Sequence, residues 1–168
     1  MITQYTTYGT VSDLIVQQQI AEIKSIYVGG STRNPKIGEF ANKIETELGI
    51  EAFADWAQPG PEADSFWRSY SQMRGRSYRQ ALKSHGADQI FDFDYEHLNR
   101  CDAMVLLLPA GKSAHMELGF TRGRGKPGFV VFEEEPERWD VMYKFATEIF
   151  FSQEEFIDYL KEKKNGSR

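Results

Sequence analysis

The sequence predicts an α/β protein built on a doubly wound, mostly parallel sheet with helices on both faces. Three observations predict it. Short apolar runs alternate with longer stretches of helical spacing, the order that builds a parallel sheet. The run from Ala103 to Leu108 is apolar without alternation, as a strand covered on both faces requires. Loops rich in glycine or proline follow the strand candidates, at Gly29-Gly30-Ser31-Thr32 and Pro109-Ala110-Gly111. Ligands of such sheets bind beyond the carboxyl ends of the strands.

Taken in order, residues 1–23 read as an N-terminal extension, polar at first and helical from Val11 to Ile23. The α/β domain is read over 24–160. Ser25 to Gly29 is its first strand. Ile37, Phe40, Ala41, Ile44 and Leu48 fall at helical spacing, and Gly49 ends that helix. Ile50 to Phe53 is a second strand. Residues 57–80 combine Phe66, Trp67, Tyr70 and Tyr78 with Arg68, Arg74, Arg76 and Arg79, and read either as a binding loop or as a surface helix. Ala81 to Leu98 is helical, with Leu82, Ile90, Phe91 and Leu98 inward. After the strand at 103–108, Ser113 caps a helix running to about Arg122, which Gly123, Gly125 and Pro127 stop. Phe129 to Phe132 is the next strand. Phe156, Tyr159 and Leu160 mark a last helix, and 161–168 is a polar tail.

Composition removes several classes of function. A chain of 168 residues buries a core without disulfides or metal, and the single cysteine, Cys101, cannot form an internal bridge. The net charge of −5 argues against a long nucleic-acid partner. No apolar stretch approaches a membrane span and no signal peptide is read, so a cytoplasmic protein without membrane partners is expected. His85 and His97 lack partners at metal-ligand spacing.

The candidate chemistry lies at the strand ends. Glu117, read in the first turn of its helix, has the dipole and free N–H groups that keep a carboxylate ionised. Such a group could attack an anomeric carbon; acidic residues also occupy first turns for the dipole alone. Asp94 could move a proton, or serve as an N-cap to the turn that follows it. Asp92 is a near neighbour. Asp102 is expected to make a structural hydrogen bond, His115 to be structural and Cys101 to be inert. Gly29, Gly30, Ser31 and Arg33, with Gly111, Lys112 and Ser113, bring N–H groups, hydroxyls and cations to two strand ends, which suits a phosphate or sugar if those strands are neighbours.

Three elements in this order resemble the nucleoside 2-deoxyribosyltransferase superfamily: Ile26-Tyr27-Val28-Gly29-Gly30-Ser31-Thr32-Arg33, Asp94 with Asp102, and Ser113-Ala114-His115-Met116-Glu117-Leu118-Gly119. That group includes 2′-deoxynucleoside 5′-monophosphate and cytidylate N-glycosidases. The resemblance implies a flavodoxin-like fold and cleavage of an N-glycosidic bond. It makes Glu117 the nucleophile, Asp94 the group handling the proton on the leaving base, and Tyr27 the residue positioning the nucleophile. Ser31, Arg33, Gly111 and Ser113 would hold substrate. It further implies a small nucleoside or nucleotide substrate, no metal or organic cofactor, and a homodimer or higher oligomer. The segment 57–80 departs from the small glycosidases, and the last residues lack the terminal anchor of the transferases. Leu108-Pro109-Ala110-Gly111 also resembles the loop of the cytokinin-activating phosphoribohydrolases. A non-catalytic nucleotide or ADP-ribose binding module and an NAD glycohydrolase are the competing functions.

Overall fold

The computed structural model describes residues 11–166. Five strands form one sheet: β1 (Ser25–Gly29), β2 (Glu51–Phe53), β3 (Ala103–Leu107), β4 (Gly128–Val131) and β5 (Glu148–Phe150). Every pair is parallel and the order is β2-β1-β3-β4-β5. This is the flavodoxin-like order, and its direction reverses between β1 and β3.

Side chains alternate between two apolar layers. Ile26, Val28, Val105, Leu107, Phe129 and Val131 face a layer completed by α1 (Val11–Ala21), α2 (Ile37–Leu48) and α7 (Gln153–Asn165). Tyr27, Met104, Leu106 and Val130 face the other, with Leu98 of α5 (His85–Arg100) and Ala114 and Leu118 of α6 (Lys112–Gly123). Successive strand residues point to opposite faces, so strands covered on both sides carry no polar alternation.

Several elements differ from what the sequence predicts. Ile20 and Ile23, at the end of the stretch read as an extension, are fully buried in the first layer. Residues 161–165, read as tail, continue α7. The segment 57–80 is helical: α3 (Ala63–Met73) and α4 (Tyr78–Ala81), which bury little beyond Ser71 and Ala81. Leu82, Ile90 and Phe91 were expected inward and are 50%, 56% and 64% exposed. α5 meets the sheet through its later turns, at Phe93, Asp94, His97 and Leu98, so the apolar residues of its first turns lie outside the core.

Gly49 ends α2 at φ 61°, as its place in the pattern implied. Asp102 makes the structural bonds expected of it, its Oδ2 accepting from Lys24 N, Ser25 N and Ser25 Oγ at 2.9, 3.0 and 3.2 Å. Lys126 donates to the carbonyls of Leu98, Asn99 and Cys101 and so closes the exposed end of α5. Among the described residues no helix is long and apolar enough to cross a membrane.

Candidate active site

β1 and β3 are neighbours, with Tyr27 opposite Met104 and Gly29 opposite Leu106. The loops that leave their carboxyl ends therefore share one crevice. A Cβ on Gly30 would stand 2.3 Å from Ile37 Cδ1 and 3.2 Å from the Leu107 carbonyl, so the first loop rests against the end of β3. Gly29 serves a closer approach. A Cβ there would meet Met104 Cε at 2.3 Å and lie 3.8 Å from Glu117 Oε2. The missing side chain leaves room for Met104, which shares this face with the Glu117 carboxylate.

Three candidate residues meet on this face. Tyr27 rises from β1 and is buried. Asp94 stands in the middle of α5, so it is not an N-cap; Ser84 takes that place. The Tyr27 hydroxyl donates to the Asp94 carboxylate. Tyr27 thus bonds Asp94, although the resemblance assigns it to positioning Glu117. Burial, with the charges of Glu117 and Asp94, holds its hydroxyl far above the usual tyrosine range, so it remains a donor.

Glu117 lies in the second turn of α6. The helix starts at Lys112 with Gly111 as N-cap, and Ser113 sits inside the first turn instead of capping it. The four unpaired N–H groups belong to residues before Glu117, so the dipole that was expected to keep it ionised is not the dominant influence. Burial pushes its carboxyl up to about 7, and the charge of Asp94 adds to the rise. Burial likewise raises Asp94 to about 6, against the pull of the Tyr27 hydroxyl. Two carboxyls with raised and mutually dependent titrations share one proton over part of the neutral range.

Other residues complete the crevice. In the first loop Ser31 Oγ accepts from Arg33 N at 3.2 Å, and the side chain of Arg33 is exposed. Lys112 and Ser113 are exposed at the start of α6, whose N-cap makes no side-chain bond. Two residues here were not singled out by the sequence. Asn34 is buried; its Oδ1 accepts from Lys36 N at 3.1 Å and its Nδ2 has no partner. Trp56 donates Nε1–H to the Val28 carbonyl at 2.8 Å and packs against both layers. No periodicity marks either residue: Asn34 lies in a loop, and Trp56 in the short 3-10 turn Asp55–Ala57, bonded to a strand 28 residues earlier.

The other candidates have structural surroundings. His97 stacks on Phe53 at 3.7 Å and accepts from Arg100 Nε. Burial pushes the Cys101 thiol up to about 11, so it carries no thiolate at neutral pH. Two further concavities lie away from the carboxylates. One, of about 610 Å³, is at the amino ends of the strands beside Cys101, Asp102 and Lys126. That is the wrong end of a parallel sheet for a ligand, and its Arg100, Asp102 and Lys126 already bond Glu51, the start of β1 and the end of α5. The second, of about 550 Å³, lies between α6 and residues 140–146.

No family model and no curated protein matches the chain. Solved structures do. A conserved protein from Enterococcus faecalis V583 aligns over 84% of this chain and 99% of its own, at 12% identity and a TM-score of 0.57. A 2-deoxyribosyltransferase from the psychrotolerant bacterium Bacillus psychrosaccharolyticus aligns over 80% and 91%, at 17% identity and a TM-score of 0.53. A CMP N-glycosidase from Clostridium botulinum, BcmB, aligns over 82% and 99%, at 14% identity and a TM-score of 0.47. The chain shares the fold of the first two.

The raised carboxyls carry a stability consequence. Their folded values, about 6 and about 7, lie above the ordinary 3.8 and 4.5. The folded state therefore holds protons that the unfolded chain releases, and stability falls as pH rises from about 4 through 7. Glu117→Gln removes its own share of that loss. At pH 8 it should be more stable than the native protein by on the order of 1–3 kcal/mol, with the gap closing near pH 4. Thermal melts at both pH values measure it; a gap that does not change with pH would remove Glu117 from the titration.

Proposed function

We propose that this protein is an enzyme that cleaves the N-glycosidic bond of a nucleoside or nucleoside 5′-monophosphate. The observation that carries the reading is the meeting of Tyr27, Asp94 and Glu117 at the β1–β3 crevice. A module that only binds nucleotide or ADP-ribose has no use for two half-buried carboxyls beside a sugar, and desolvating them costs stability. Sharing a fold with a 2-deoxyribosyltransferase is consistent with this reading.

The reaction is retaining and runs in two steps. The ionised Glu117 carboxylate attacks C1′ as the C1′–N bond breaks, and the bond's electron pair leaves with the base. Asp94 gives that nitrogen its proton. Water, or the nitrogen of a second base, then attacks C1′ and displaces Glu117, while Asp94 takes the proton released. The active form holds one proton on the pair. In the free protein Glu117 has the higher affinity for it. Positive charge developing on the sugar favours the Glu117 anion, and charge developing on the leaving base favours the proton at Asp94. Tyr27 keeps Asp94 aimed by its hydrogen bond.

The first test is kinetic. Glu117→Ala should lose nearly all turnover while remaining folded. Asp94→Asn should lose about 10²–10⁴-fold on poor leaving bases and less on activated ones. kcat/KM of the native enzyme should be a narrow bell, falling below about pH 6 as both groups protonate and above about pH 7 as both ionise. Chromatography of products from nucleosides, nucleotides and NAD, with and without an acceptor base, separates hydrolase, transferase and NAD glycohydrolase. Near-native turnover in Glu117→Ala would overturn the mechanism.

The second concerns phosphate. Ser31 and Arg33 lie on the first loop of the crevice, to which the unpartnered Asn34 amide also belongs, and Lys112 and Ser113 lie in the first turn of α6 after the second loop. Such donors suit a 5′-phosphate. A monophosphate should bind better than its nucleoside, and Arg33→Ala should weaken only the monophosphate, by about ten- to a hundredfold. Equal calorimetric affinities of native protein for the two ligands would move the reading to free nucleosides.

The third concerns assembly. Phe91 stacks on Tyr95, and Tyr95 contacts Phe120 at 5.5 Å. Phe91 and Tyr95 are 64% and 42% exposed, and Met116 of α6 is 75% exposed. This apolar ladder on α5 and α6 borders the site, and we assign it to a second copy of the chain in a symmetric dimer. Native protein should sediment as a dimer and Phe91→Glu as a folded monomer. A native monomer at tens of micromolar would refute the assignment.

A further inference from the structure

His115 is a residue of the Glu117 helix that the proposed chemistry leaves unused. Its ring folds back over the start of α6. Nδ1 lies 2.7 Å from the Gly111 carbonyl, and Nε2 lies 3.0 Å from the Tyr143 hydroxyl. A carbonyl can only accept, so Nδ1 carries the hydrogen. In the neutral ring Nε2 is then an acceptor, and the Tyr143 hydroxyl donates to it. Burial, with the charge of Asp140, raises the Tyr143 hydroxyl above its ordinary range, which keeps it a donor.

Tyr143 is itself held. It belongs to the 3-10 segment Val141–Phe145, which crosses the outer side of α6. Its ring meets Phe132 edge-on at 4.9 Å, Asp140 Oδ1 accepts from Met142 N at 2.9 Å, and the Phe145 carbonyl accepts from Arg122 Nε at 2.9 Å. The segment thus grips α6 near both ends, through His115 and Arg122.

Gly111 has no comparable support. Its backbone is extended, at φ −82° and ψ −177°, and nothing lies within 4 Å of where a Cβ would stand. The helical N–H of His115 reaches its carbonyl at only 3.4 Å, so the ring supplies the shorter bond. A trans peptide is planar, with C=O and N–H on opposite sides. Holding the Gly111 carbonyl down along the helix therefore aims the Lys112 N–H away from it, toward the crevice beyond β3.

We propose that His115 and Tyr143 are positioning residues that fix the Gly111–Lys112 peptide and so hold the anion-binding end of the crevice ready for a phosphate. This rests on the proposed phosphate site. It explains why a histidine stands two residues before Glu117 on a different side of the helix. It also gives the segment 140–146 a purpose beyond covering the sheet.

The experiment compares native protein with Tyr143→Phe, His115→Ala and His115→Asn. Long-range proton–nitrogen NMR should find His115 as the Nδ1–H tautomer in native protein. Calorimetry with inorganic phosphate, and with the four common nucleoside 5′-monophosphates against their nucleosides, reads the consequence. Tyr143→Phe should weaken phosphate and monophosphate binding about three- to tenfold and His115→Ala about tenfold or more, with nucleoside binding unchanged. His115→Asn, whose amide can donate from nearly the same place, should recover most of the loss. An Nε2–H tautomer, or equal losses for nucleoside and monophosphate, would overturn the positioning role. A native preference for the monophosphate that all three variants retain would overturn it while leaving the phosphate site standing. No native preference would overturn the phosphate site and the positioning role together.

Discussion

The pairing of β1 with β3 is the constraint on which the rest depends. It brings two chain segments together across 73 intervening residues, Gly29 being followed much later by Ala103. Because both strands run the same way, their carboxyl ends and outgoing loops lie side by side. Because the sheet reverses its winding there, α2 leaves toward one face and α6 toward the other, and the crevice between them stays open. The register then matters at single-residue level. Tyr27 and Gly29 share a face with Met104 and Leu106, so the hydroxyl of one and the missing side chain of the other both serve the layer that holds α5 and α6. A slip of one residue would turn Tyr27 to the opposite layer, away from Asp94.

The sequence made the sheet legible because a strand buried on both faces is a distinctive run of residues. Ile26-Tyr27-Val28 and Met104 to Leu107 needed no partner to be read. The short strand Glu148–Phe150 and the 3-10 segment before it were not legible: three residues show no period, and an edge strand owes its place to β4. Helix interiors misled in a specific way. Ile90 and Phe91 have the spacing of a buried stripe, and periodicity reports an apolar face without saying whether the chain itself covers it.

The candidate site was legible as residue types and not as electrostatics. Glu117, Asp94 and Tyr27 could be named from their motifs, but the reading of Glu117 as held ionised by a helix terminus placed that terminus in the wrong turn. With Gly111 as the cap, one turn separates the carboxyl from the free N–H groups. Burial then decides its titration, and burial is a property of the packed layer that no local pattern displays. The same holds for Asn34 and His115, whose partners or lack of them depend on how separate segments meet.

Two neighbouring carboxyls half-buried against an apolar layer are costly to a fold, and hydrogen bonding relieves only part of that cost. Tyr27 supplies one bond to Asp94, which lowers that group relative to its buried surroundings, while Glu117 is left with burial and a like charge, both acting to raise it. Most of the difference between them is the ordinary one between an aspartate and a glutamate, 3.8 against 4.5, and the bond from Tyr27 acts in the same direction. Asp94 therefore stays below Glu117, and over a narrow range the pair holds a single proton. Substituting Tyr27 by a ring without the hydroxyl would raise Asp94 toward Glu117 and narrow that range. The buried tyrosine of β1 is therefore the link between the sheet's register and the protonation state of the crevice.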